Sequence, residues 1–275
     1  MSNKILRVTH NAAFFSCCTI RLLEIIKYFN INKELPEIVD SSEQFQIHKS
    51  QNGDITDRFF KTTLDQILYE GDIKLSKSND EEQFSNYSEL NFSKVNPFVS
   101  KYFTLSAQVI EKIDFFKDKY NINFENTCSV FYRGLDKITE TDLGSHDVFI
   151  QKCRDIKKEN PNLKFFVQTD ELDFQELFLL EFPDSILLDE LPKLKKQNTL
   201  LTHHIPVERR LDFGIEFLSA TFIVSQCKFV VTHSGNCGLW SVLFRGNTEN
   251  VYQWVTAGRN REFNPDLVRY DYWSK

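Results

Sequence analysis

The segment Phe131-Tyr132-Arg133-Gly134-Leu135-Asp136-Lys137 brings an arginine out of an apolar run, turns the chain with a glycine, and adds an acid and a lysine just beyond. A guanidinium donates two parallel hydrogen bonds in one plane and keeps its charge at any working pH, which suits a diphosphate. The competing reading is an Arg133–Asp136 ion pair that closes the strand end. A second segment, Thr232-His233-Ser234-Gly235-Asn236-Cys237-Gly238, leaves another apolar run with two hydroxyls and two glycines ahead of an apolar helix. Glycine lets backbone approach a ligand, hydroxyls donate to phosphate oxygens, and a helix N-terminus favours negative charge. An ordinary helix cap with turn glycines accounts for the same residues equally well. Thr169 and Asp170 end a third apolar run, where a carboxylate can accept hydrogen bonds from a ribose or a base edge, or cap a helix. His10 and Asn11 hold the matching position after the first apolar run.

These positions gain meaning from the elements that carry them. From Thr127 onward, apolar runs of strand length alternate with helical patterns: CSVFY, a helix over 148–158, LKFFVQ, a helix over 174–182, SILLDE, a helix over 212–227, KFVV, a helix over 239–244 and VYQWV. Continuously apolar strands separated by crossover helices specify a buried parallel sheet. In such sheets ligands sit beyond the carboxyl ends of the strands, where the polar residues above are found. The fold class is therefore α/β, with a doubly wound parallel sheet over 121–275 and a short, irregular lobe over 1–120. That first lobe opens with a strand over 4–10 and a helix over 12–30, which ends near Pro36. Its other regular element is an amphipathic helix over 106–120, and the 41–96 stretch reads as mixed.

Composition excludes several classes. A net charge of −6 without an arginine run argues against a nucleic-acid partner, which needs a basic face. No stretch approaches the roughly 18 consecutive apolar residues that span a bilayer. The N-terminus reaches His10 and Asn11 before any secretory core of sufficient length, and the six cysteines show neither CxxC nor Cys/His spacing, so a cytoplasmic, reducing location is expected. The 26 phenylalanines beside one methionine read as core bulk. Neither GxGxxG nor a Walker lysine is present. A metal-carrying DxD is also missing, with Glu140-Thr141-Asp142 a weak substitute. His203 and His204, as adjacent residues, make a poor metal pair.

FYRGLDK resembles the arginine-containing first motif of the fucosyltransferase superfamily, which includes α-1,2, α-1,6, protein O- and nodulation fucosyltransferases. FFVQTDE is similar to its second motif and FLSATFIVSQCKFVVTHSGNCG to its third, while HNAAFFSC is more loosely similar to the loop that opens the first lobe. The resemblance covers roughly 127–247. It implies a GT-B-like fold of two Rossmann-like lobes, with a GDP-sugar donor in the C-terminal lobe and a glycan or other hydroxyl acceptor facing the N-terminal one. It also implies transfer with inversion, of fucose by analogy with the family, with no metal and no permanently bound cofactor. On this resemblance Arg133 holds the donor diphosphate and stabilises the leaving GDP. Asp170 meets the nucleoside, and Ser234 with Thr232, His233, Gly235 and Asn236 meets the phosphate. Lys137 and Thr169 complete the donor set. Asp136, Glu140 and His10 are the candidate bases.

Where many members carry a histidine and paired arginines, this chain has Phe131 and Arg133 followed by Gly134, and Glu140 falls one position closer to the motif than in the α-1,6 enzymes. Arg133 alone would then supply charge stabilisation, worth about 3 to 4 kcal/mol per donor group. The alternative is a catalytically inactive nucleotide- or glycan-binding module on the same fold.

Overall fold

The computed structural model describes residues 4–49, 53–63, 67, 71–76, 83–135, 137, 143–195, 204–256 and 272–274. A strand, Ile5–Arg7 (β1), a helix, Phe14–Asn32 (α1), and a second strand, Ile38–Asp40 (β2), open the chain as one β-α-β unit whose two strands run parallel. The helix stops where Lys33 takes a left-handed conformation, φ 55°, shortly before Pro36. Phe60–Lys61 (β3) pairs antiparallel with Thr104–Leu105 (β4), and Phe92–Tyr102 (α2) precedes β4. The helix Ala107–Tyr120 (α3) follows, its first turn capped by Ser106, whose side chain accepts from the Val109 amide.

Through β9 the remainder alternates as its sequence predicts: Thr127–Tyr132 (β5), His146–Glu159 (α4), Lys164–Thr169 (β6), Leu172–Glu181 (α5), Ile186–Leu187 (β7), Arg210–Gln226 (α6), Phe229–His233 (β8), Asn236–Arg245 (α7) and Val251–Val255 (β9); a further short strand, Tyr272–Trp273 (β10), which the sequence pattern does not announce, follows. These strands form one sheet in the order β10-β9-β8-β5-β6-β7, parallel throughout except for β10. Every residue of β5 is buried, so it shows no alternation of buried and exposed positions, and its two hydroxyls are satisfied internally, Thr127 donating to the Asn123 carbonyl and Ser129 to the Val224 carbonyl.

Side chains alternate across the sheet. Cys128, Val130 and Tyr132 face α4 and α5, where they pack with Phe149, Cys153, Phe174 and Phe178. Phe131 and Phe166 face the opposite way, into a larger core that runs without interruption through α6 and α7 to α1, α2 and α3. Much of the phenylalanine excess lies there: Phe15, Phe45, Phe59, Phe98 and Phe116 are buried within it, each ring contributing about 1.5–3 kcal/mol on burial. All six cysteines are buried thiols. Among the described residues no helix is long and apolar enough to cross a membrane.

One consequence of the strand order positions the site. From β5 the chain steps outward to β6 and β7; from β8 it steps the other way to β9. The winding reverses between β5 and β8, and the loops leaving their carboxyl ends diverge and open a crevice. Those loops begin at Arg133 and Ser234.

Candidate functional site

A cavity of about 370 Å³ lies at this reversal, within the size range of small-ligand sites. Arg133, Lys137, Thr169, Asp170, Asn236 and Cys237 line it from the sheet side, and Ala12 to Ser16 line it from the start of α1.

Arg133 is held from three directions. Its Nε donates to Asp170 Oδ2 at 3.2 Å, its Nη1 contacts Cys237 Sγ at 3.8 Å, and its backbone N–H donates to His233 Nε2 at 3.1 Å. The other oxygen of Asp170, Oδ1, accepts from the Gly134 amide at 3.0 Å. One carboxylate thus fixes both the guanidinium and the turn behind it. Gly134 is required by a close approach: a Cβ there would lie 1.5 Å from Glu171 Oε2. Glu171 is fully buried, with His146 Nε2 at 3.2 Å from its Oε1.

Positive potential converges on the cavity from further groups. Lys137 is buried and lines it, its side chain passing beside Gly235. Helices α1 and α7 both begin at the cavity wall, through Phe14 and Asn236, and neither carries a side-chain cap. Amide groups at helix starts have no partner inside the helix and favour an anion. Asn236 ties the two helices together, since its Oδ1 accepts from Thr19 Oγ1 at 2.7 Å while its Nδ2 donates to Gln83 Oε1 at 3.0 Å.

The β8 end is placed differently from what its sequence suggests. Thr232, His233, Ser234 and Gly235 are buried behind the cavity rather than lining it. Ser234 Oγ accepts from Gln253 Nε2 at 3.0 Å and from the Thr256 amide at 3.1 Å. His233 Nδ1 donates to the Ser234 carbonyl at 2.6 Å, and its Nε2 accepts from Arg133, which defines the neutral Nδ1–H tautomer. Burial pushes the His233 imidazole down to about 4, with Lys137 and Arg133 adding to the shift. Gly235, at φ +132°, makes the turn, and its amide donates to the Gln83 carbonyl at 2.6 Å. Gly238 lies inside α7 rather than in a loop ahead of it, and a Cβ there would meet the His233 carbonyl at 2.4 Å and Tyr87 Oη at 2.7 Å. Its role is close packing.

Of the three candidate bases, His10 is described: its Nε2 lies 2.9 Å from Ser16 Oγ, and Ser16 lines the cavity. Asp136 and Glu140 lie outside the described residues, as does His203. Thr169 Oγ1 accepts from the Glu171 amide at 3.1 Å at the start of α5. Sequence reasoning passes over Gln168, Ser16, Cys237 and the α6 rings Phe213 and Phe217, all of which line the cavity. Gln168 alone leaves a signal, as an amide within an otherwise apolar strand. Among the described residues no group of three or more metal-ligating side chains converges.

The chain has the fold of a fucosyltransferase-like glycosyltransferase. A crystal structure of NodZ α-1,6-fucosyltransferase soaked with GDP-fucose matches 98% of this chain and 99% of its own at a TM-score of 0.57 and 11% sequence identity. Fucosyltransferase NodZ from Bradyrhizobium matches over the same shares at a TM-score of 0.51 and 12% identity. No protein-family model and no curated protein sequence matches the chain.

Proposed function

We propose that this chain is a glycosyltransferase that moves a sugar, fucose from GDP-fucose in the first instance, to a hydroxyl acceptor with inversion and without a metal ion. The observation that carries the reading is Arg133, held by Asp170, which the Gly134 amide fixes in turn, and lining a cavity shared with Lys137 and the starts of α1 and α7. Residues 121–275 form the donor side and residues 1–120 the acceptor side.

In the step envisaged, the acceptor oxygen forms a bond to the anomeric carbon as the bond from that carbon to the diphosphate oxygen breaks. The electron pair leaves on the diphosphate, where Arg133 and Lys137 stabilise it, and the acceptor's proton passes to His10, Asp136 or Glu140. Stabilising developing charge with preorganised cations is the largest contribution a protein makes in many such sites. Asp170 acts through Arg133, holding the guanidinium in plane so that little reorganisation is needed as charge develops.

The test is GDP release from GDP-fucose, with and without a chelator, across a panel of glycan acceptors. Arg133→Ala should lower turnover about a hundred- to a thousandfold with an unchanged melting temperature. Wild-type turnover in that variant would remove Arg133 from the mechanism. Tight GDP binding without turnover in the unmodified protein would favour the inactive binding module.

A further inference from the structure

The cavity has an apolar wall as well as a cationic one. Phe131 from β5, Phe213 and Phe217 from α6, and Leu191 and Pro192 after β7 contribute to it, and the Phe213 and Phe217 rings lie nearly parallel, 6° apart in plane with centroids at 5.9 Å. Into this wall β6 brings Gln168, in register with Phe131. Gln168 is 4% exposed, and neither its Nε2 nor its Oε1 has a hydrogen-bond partner. A buried amide without partners costs stability that an apolar residue of similar size would not. The residues before it in the strand, Phe165, Phe166 and Val167, are apolar, so nothing in the packing of β6 calls for an amide here.

We propose that Gln168 is the contact that reads the base of the donor nucleotide. Its carbonyl oxygen accepts from, and its NH2 donates to, neighbouring groups on one edge of a flat heterocycle whose face rests on the aromatic wall. A carboxamide matches such an edge with two parallel hydrogen bonds. Asp170, the residue first expected to meet the nucleoside, is engaged by Arg133 and Gly134, which leaves Gln168 as the amide on this strand that can take the role. Both amide atoms are sealed from water, so contact follows rotation of the lining side chains as the base seats, a common adjustment on binding. The inference rests on reading the cavity as a nucleotide-sugar site.

Calorimetric titration of the intact protein with GDP and with inorganic pyrophosphate separates the two claims. Gln168→Leu should weaken GDP binding about tenfold to a hundredfold, leave pyrophosphate binding unchanged, and melt at or above the wild-type temperature without ligand. Gln168→Met, which keeps the unbranched chain, gives the same readout should leucine not fit. Unchanged GDP affinity, an equal loss for GDP and pyrophosphate, or a lowered melting temperature in both variants would overturn the role of Gln168 while leaving the nucleotide site in place. A wild-type protein that binds pyrophosphate as tightly as GDP would also overturn it. Binding of neither probe by the wild type would remove the nucleotide-site reading and this inference together.

Discussion

The ends of β5 and β8 lie side by side, and their sequences look alike: each is an apolar strand that stops in polar residues, with a glycine close behind. Their roles differ. The β5 end sends Arg133 to the cavity wall, whereas the β8 end turns its histidine, serine and threonine into the protein, where His233 accepts from the Arg133 amide and Ser234 accepts from Gln253 and Thr256. A polar strand end marks the neighbourhood of a site in this fold; which side chain meets a ligand depends on what the rest of the chain packs against it.

That contrast predicts activity effects on one side and stability effects on the other. The largest is the loss of turnover in Arg133→Ala, about 3 to 4 kcal/mol of barrier, with folding intact. Next comes the acid sensitivity of His233. Below the ordinary histidine value of 6.5 the unfolded chain takes a proton that the folded chain refuses until about 4. Stability therefore falls as pH drops through that window, by about 3 kcal/mol in all. Denaturant melts between pH 7 and 4 should show the slope, and His233→Gln should flatten it; His48, also buried and shifted downward, leaves a residual slope. An equally steep slope in the variant would remove His233 as the cause.

Ser234→Ala should cost about 1–3 kcal/mol of stability, because the Gln253 amide and the Thr256 N–H lose a buried acceptor, while the folded variant keeps its turnover. A variant as stable as wild type but inactive would move Ser234 from support to site. The smallest effect is expected for Asp170→Asn, which keeps the size but loses the charge that orients Arg133. A fall in turnover of about tenfold, near 1.4 kcal/mol, with an unchanged melting temperature is the expected outcome; a collapse in stability would make Asp170 a folding residue first.

The sheet was legible in the sequence because its physics is local: strands buried on both faces are continuously apolar, and the helices between them repeat every 3.6 residues. The first 120 residues were harder to read. The strand Ile38–Asp40 is too short to show a period, and Phe92–Tyr102 is a helix despite Pro97, its stability coming from packing against the core rather than from propensity. At the site, Arg133 was visible as a charge at the tip of an apolar strand. The burial of Ser234 was not, since it depends on Gln253 and Thr256, 19 and 22 residues further along. The tie between Asp170 and Gly134 spans 36 residues and joins two strands, so it too follows only once β5 and β6 are paired.

Calorimetric titration of GDP into the wild type, Arg133→Ala and Ser234→Ala sets the two strand ends against each other in one experiment. Arg133→Ala should lose at least about tenfold in affinity, and folded Ser234→Ala should keep the wild-type dissociation constant. Wild-type affinity in Arg133→Ala, or an equal loss in a fully folded Ser234→Ala, would contradict this division of roles.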